Sequence, residues 1–315
     1  MNREDVKIVF MGTPEFAKCS LEGLYDSGYN IVGVFTNPDT LSGRGMKLKS
    51  SPVKEYAIGK NIPVFQPQKI RKNEEVIKIL NDLNPDIIAV TAYGKILPKE
   101  ILDFPKYGCI NVHGSLLPKY RGAAPIHHAI INGESETGIT TMYMDVGMDT
   151  GDMLLTETIT INDDDNLETM TIKLMKIGSA LLVKTLDKII INDVVRIKQE
   201  GDFSIAPMIQ KEMTKIDWNK SSREIFNFVR GLSPYIGSYI VHSDGRKFKV
   251  LEVKEAENIE GNLGSVVLVT KSRLLIKCKD GSVEIKKIQP LNSKVMDILP
   301  FLNGNKIELG EMFEW

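Results

Sequence analysis

Between Cys109 and Asp152 the chain reads CINVHGSLLPKYRGAAPIHHAIINGESETGITTMYMDVGMDTGD, a stretch that few folds can accommodate. Apolar and polar residues alternate from Cys109 to His113, which puts Asn111 and His113 on one face of a short strand and Ile110 and Val112 on the other. Gly114 and Pro118 break the ladder, so residues 114–122 form a loop, while Ala123 to Asn132 is long and apolar enough for a helix. A second β-rich run, GITTMYM, leads into Asp145, Asp149 and Asp152. In an open α/β sheet the chemistry gathers outside the carboxyl ends of the strands, where both segments deliver polar groups. Asn111, His113 and Asp149 are the residues expected to converge there.

The preceding sequence supplies the rest of such a sheet. VKIVFM near the amino terminus is a buried-strand run, and Gly12-Thr13-Pro14-Glu15 reads as a helix start with Thr13 as N-cap and Pro14 in the first helical position. Ile31–Thr36, a short strand near Val64 and the continuous apolar run Asp86–Tyr93 continue the pattern, with a helix over Glu74–Leu83. Met153–Ile161 adds a strand and Leu167–Ile191 a long helix. No GxGxxG follows the first strand, which argues against a dinucleotide-binding oxidoreductase.

Residues 37–52 are too long for an ordinary βα connection and carry Arg44, Lys47 and Lys49, with no acidic residue between Asp39 and Glu55. Such a loop is functional or a solvated basic connection. The run Asn162–Asn166 lacks the spacing of a calcium loop and is expected to be a solvated helix start. Beyond a helix over Ser221–Leu232 come several short alternating runs with turn signals, the pattern of a small barrel. Its slight excess of Lys and Arg suits either an RNA-backbone surface or a solvated β surface.

The formal net charge of −1 provides no global field toward nucleic acid. Cys19, Cys109 and Cys278 form no CxxC pair, which fits a reducing compartment. His127 and His128 are adjacent on a predicted helix and point apart, and no HExxH pattern occurs, so no metal is expected. With neither a signal peptide nor a membrane-length apolar run, a cytoplasmic protein with no membrane contact is expected.

NVHGSLLPKYRGAAPI followed by DVGMDTGDM resembles the signature of the folate-dependent formyltransferases. FMGTPEFA at Phe10–Ala17, SGRGMKL at Ser42–Leu48 and AYGKILP at Ala92–Pro98 resemble those members that act on methionyl-tRNA, and the likeness runs nearly the whole length. The resemblance implies an α/β, Rossmann-like formyltransferase domain with a mostly parallel sheet over residues 1–192, a linker over 193–207, and a smaller OB-like β-barrel domain over 208–315 that contacts tRNA. It implies transfer of a formyl group from 10-formyltetrahydrofolate, a co-substrate, to initiator methionyl-tRNA for translation initiation, by a monomer. Asn111, His113 and Asp149 match the catalytic trio: an oxyanion donor, a proton-handling imidazole and the carboxylate that orients it. Ser115, Leu116, Leu117 and Pro118, with Tyr93, Gly94, Ile96 and Leu97, match folate contacts. Arg44 takes the position of an Arg that wedges into the tRNA acceptor end, with Lys47 and Lys49 beside it. A sugar-amine formyltransferase is the nearest alternative, and SGRGMKL and the C-terminal half argue against it. A glycinamide-ribonucleotide formyltransferase would end soon after the first domain, and a non-catalytic RNA-binding protein would not need the trio.

Overall fold

The computed structural model describes residues 2–42 and 47–314. The chain forms two compact units, residues 1–122, 138–159 and 171–205 in one, and 123–137, 160–170 and 206–315 in the other. Their elements in chain order begin β1 (Lys7–Gly12), α1 (Glu15–Asp26), β2 (Asn30–Phe35), β3 (Thr40–Ser42), β4 (Lys47–Lys49), α2 (Pro52–Gly59), β5 (Val64–Phe65) and α3 (Glu74–Leu83). There follow β6 (Ile87–Thr91), α4 (Lys99–Leu102), β7 (Cys109–His113), α5 (Pro125–Ile131), β8 (Glu136–Tyr143), β9 (Met153–Thr160) and α6 (Leu167–Ile190).

A sheet in the order β5-β2-β1-β6-β7-β8-β9 carries the first unit. It is parallel from β5 to β7 and antiparallel between β7 and β8. All five residues of β6 are buried, as a central parallel strand covered on both faces requires. The helix α3 is set by Asn73, whose side chain accepts from the Glu75 and Val76 amides, and ends at Asn84 with a left-handed φ of 44°. Its Val76 and Leu80 pack with Val9, Met11, Ile88 and Val90 of the sheet. The order reverses around β1, with β2 on one side and β6 on the other, so the carboxyl ends of β1, β6 and β7 open at a switch point.

Two local expectations change. The helix α1 starts one residue later than the sequence suggests, with Pro14 rather than Thr13 at the cap position. The Thr13 hydroxyl is committed elsewhere: it accepts from Asn37 Nδ2 at 3.1 Å and approaches the Tyr93 carbonyl at 3.5 Å. Residues 37–52 are no plain loop either, because β3 and β4 pair as an antiparallel hairpin with Leu41 opposite Leu48. Asp39 anchors its base through Lys54 Nζ at 2.7 Å and Gln66 Nε2 at 2.9 Å, and these bonds hold its carboxyl below the usual range.

The second unit adds α7 (Ser222–Leu232), β10 (Ser238–His242), β11 (Lys247–Ala256), β12 (Val266–Val269), β13 (Leu274–Lys277), β14 (Ser282–Pro290), β15 (Met296–Asp297), α8 (Ile298–Gly304) and β16 (Phe313–Glu314). Ser221 and Glu224 exchange side-chain and backbone bonds in a capping box that starts α7. Ile225 and Val229 on that helix join Trp218, Ile240, Ile276, Phe301 and Phe313 in one core. The antiparallel order is β12-β13-β14-β11-β10-β16. Its ends meet through Val266 N to Glu311 O at 2.8 Å and Phe313 N to Gly264 O at 2.8 Å, so the sheet curls on itself as the small-barrel expectation requires. The aspartate run before α6 is less solvated than expected. Asp165 is buried and accepts from the Asn162 amide and the Thr169 hydroxyl, while Arg230 donates to the Asn162 and Asp165 carbonyls.

In the first unit Asp187, late in α6, accepts from Arg3 Nε and Nη2, each at 2.7 Å, and from the Tyr29 hydroxyl at 2.9 Å. The Arg3 hydrogen bonds hold its carboxyl below the usual range. A carboxyl depressed on folding adds stability above its unfolded pKa, about 3.9, and loses it as pH falls through the folded value. Asp187→Asn is therefore expected to lower the melting temperature near neutral pH, with the gap to the parent closing below about pH 4. Thermal melts across that range check it, and a gap independent of pH would assign the effect to shape instead.

Candidate active site

The site is built at the end of β7, and its first constraint is the imidazole of His113. The pleat puts Asn111 and His113 on the same face of β7, which is held between β6 and β8. His113 is only 5% exposed, and its Nε2 lies 2.9 Å from the Tyr120 carbonyl oxygen. A carbonyl only accepts, so the ring carries a proton on Nε2, and in its neutral form Nδ1 holds a lone pair. That Nδ1 faces Asp149 Oδ2 at 3.6 Å. The separation is beyond a hydrogen bond, so the orienting contact is the Tyr120 carbonyl, with the carboxylate placed to stabilise the ring electrostatically once Nδ1 is protonated.

Asp149 is held by backbone. Its Oδ2 accepts from the Gly122 amide at 2.8 Å, which ties the loop after β7 to the loop after β8. Its φ of 54° lies in the left-handed region, where a residue with a Cβ is less favoured. Asp145 supports the same loop by accepting from the Gly147 amide at 3.0 Å and the Thr150 hydroxyl at 2.7 Å, while Asp152 pairs with Arg196. Gly151 leaves no room for a side chain, since a Cβ there would lie 1.8 Å from the Tyr143 carbonyl. The Asn111 amide is partly exposed and makes no hydrogen bond to any described residue.

The loop from Ser115 to Pro118 is fixed from below. Thr140 donates to the Ser115 carbonyl at 2.7 Å and accepts from the Leu117 amide at 3.2 Å. Leu117 is buried, and Leu116 and Pro118 are partly exposed. At the neighbouring end of β6, Tyr93 and Leu97 are core residues, Gly94 turns with a φ of 76°, and Ile96 is exposed. Asn37 ties the Tyr93 carbonyl to Thr13 with bonds of 3.0 and 3.1 Å, joining the ends of β1, β2 and β6. Burial pushes the Tyr93 phenol up to about 12, and its hydroxyl has no hydrogen-bond partner among the described residues. Lys95 donates to the Pro67 and Gln68 carbonyls, and burial lowers the pKa of its ammonium.

His113 and Asp149 are thus brought together, Asn111 shares the His113 face, and the two predicted folate segments flank the same sheet end. Lys47 and Lys49 lie on β4, with Lys49 exposed, and Arg44 lies outside the described residues. Thr140 and Asn37 went unread in the sequence, although a polar residue at a buried register of β8 is a signal for the first. Gln199 and Ser204, which bond to the two site loops, left no periodic signal at all.

No described helix is long and apolar enough to cross a membrane, and no described cluster of three or more His, Cys, Asp or Glu side chains could hold a metal ion. Residues 6–186 match the family model described as formyl transferase, and residues 208–306 match that of the formyl transferase C-terminal domain. A methionyl-tRNA formyltransferase of Caldanaerobacter subterraneus subsp. tengcongensis is 47% identical over 98% of this chain and 100% of its own length. Another, from Clostridium tetani, is 48% identical over the same shares. Among solved structures, WlaRD, a sugar 3N-formyl transferase, superposes with a TM-score of 0.63 at 22% identity, covering 92% of this chain and 99% of that one. HypX from Aquifex aeolicus gives 0.65 at 15%, covering 97% of this chain and 52% of its own. The structural likenesses establish the fold, and the two family models with the full-length relatives place this chain in the formyl transferase family.

Proposed function

We infer that this protein transfers the formyl group of 10-formyltetrahydrofolate to the amino group of methionyl-tRNA, giving N-formylmethionyl-tRNA. The observation that carries the reading is similarity to methionyl-tRNA formyltransferases over 98% of the chain, which spans both units. The acceptor is initiator methionyl-tRNA, and the protein works as a cytoplasmic monomer. Residues 1–192 hold folate and carry out the transfer, 193–207 lead from them while bracing the site loops through Gln199 and Ser204, and 208–315 contact the tRNA.

The substrate amine attacks the formyl carbon, forming a C–N bond as the carbonyl electrons move to oxygen. Asn111, whose amide has no described partner, donates to that oxyanion without any change of protonation. The amine proton passes to His113 Nδ1, the ring nitrogen that the Tyr120 contact leaves unprotonated. Asp149 then faces an imidazolium and stabilises it across the 3.6 Å gap. As the tetrahedral intermediate collapses, the bond from the formyl carbon to N10 breaks, and the proton goes to the departing tetrahydrofolate. Folate is held along Ser115–Pro118 and Tyr93–Leu97, where the turn at Gly94 and the exposed Ile96 side chain offer backbone and apolar surface.

His113→Ala and Asp149→Ala are each expected to lower kcat by roughly 10²–10⁴-fold while folate affinity stays near that of the parent. Formylation assays beside equilibrium folate binding check this, and parent-like turnover in either variant removes that residue from the chemistry. Arg44→Leu is expected to impair formylation of methionyl-tRNA with folate binding intact, and Arg44→Lys to recover only part of it because an ammonium lacks the planar fork. Methionyl-tRNA, free methionine and an amino sugar assayed side by side decide the acceptor. Turnover confined to the amino sugar would overturn the reading.

A further inference from the structure

Gln199 lies in the segment that the sequence suggests is a connection, yet its side chain spans both loops of the site. Its Nε2 donates to the Asp149 carbonyl at 2.9 Å and to the Gly151 carbonyl at 2.8 Å. Its Oε1 accepts from Arg121 Nε at 2.9 Å. One amide therefore uses both donor hydrogens on the loop that carries the carboxylate and its oxygen on the loop that carries the Tyr120 carbonyl. Ser204 completes the clasp, since its hydroxyl accepts from the Tyr120 amide at 2.9 Å and its carbonyl from the Arg121 amide at 2.9 Å. Arg121 also stacks over Phe203, 4.8 Å from the ring centre, so the arm that reaches Gln199 is itself oriented.

One of the residues that Gln199 holds has a backbone conformation in the left-handed region. Asp149 has a φ of 54°, and a residue with a Cβ keeps that conformation only where its surroundings impose it. Holding the Asp149 carbonyl restrains the backbone from which its side chain, tied to the Gly122 amide, approaches His113 at 3.6 Å. We propose that Gln199 is a positioning residue, which holds Asp149 and, through Arg121, the loop bearing the Tyr120 carbonyl in the arrangement that transfer requires. This rests on the reading of His113 and Asp149 given above. It acts on turnover rather than on substrate binding, because none of its three bonds is made to a residue assigned to folate or tRNA.

The test uses the full-length protein and two substitutions. Gln199→Leu keeps the size and removes all three bonds, whereas Gln199→Glu keeps the acceptor for Arg121 and sets oxygen against two carbonyls. Both are expected to lower kcat by about 10–100-fold with the KM for 10-formyltetrahydrofolate within about twofold of the parent, since a misplacement near 1 Å costs that much. The Leu variant's penalty should shrink several-fold when Asp149 is already Ala, because the part that passes through that carboxylate is then gone and only the part that passes through Arg121 is left. An equal penalty in both backgrounds would make the role merely structural and overturn the proposal. Parent-like kcat in Gln199→Leu beside a crippled Asp149→Ala overturns it alone, and parent-like kcat in Asp149→Ala removes the trio and this inference together. Should Gln199→Leu fail to fold, Gln199→Glu, alone and with Asp149→Ala, is read the same way.

Discussion

Everything at the sheet end depends on one carbonyl. The Tyr120 oxygen takes the proton of His113 Nε2 at 2.9 Å, and that contact sets both the tautomer of the ring and the direction in which its other nitrogen looks. Tyr120 has its own amide tied to Ser204, and Gly122, two residues on, donates to Asp149. The loop therefore holds an imidazole and a carboxylate through its backbone, by the Tyr120 carbonyl and the Gly122 amide. Backbone groups suit this role because they do not change charge and have few alternative conformations once the loop is packed.

The scaffold explains why that loop can be rigid. β7 lies between a buried parallel strand and an antiparallel partner, so Asn111 and His113 project from a strand with hydrogen bonds on both sides. Below it, Thr140 on β8 closes the turn at Ser115 and Leu117 with a buried hydroxyl. On the other side Asn37 gathers the ends of β1, β2 and β6 around the Tyr93 carbonyl. Polar groups at buried ends of strands cost free energy unless they are paired, and here the pairing itself shapes the site.

Much of this was legible in the sequence, for physical reasons. The buried parallel strands announce themselves by unbroken apolar runs, and the helix Glu74–Leu83 by its spacing. The alternation at Cys109–His113 by itself puts Asn111 and His113 on one face. What escaped were contacts between residues far apart in the chain. Thr13 looked like a helix cap because Thr before Pro is one locally, but Asn37 and Tyr93, distant in sequence, claim its hydroxyl. The hairpin of β3 and β4 hid in short strands bearing polar residues, and Gln199 sits in a segment with no periodicity, where only the fold reveals what its amide reaches.

The curled sheet of the second unit has one further effect. A strand at the rim of an open sheet shows unpaired amides and carbonyls that invite a foreign strand to add on. Here β12 and β16 would be those rims, yet the bonds between residues 264–266 and 310–313 occupy the groups that Val266 and Phe313 would otherwise present. The unit thereby blunts part of its own rim against edge-to-edge pairing through its own hydrogen bonding.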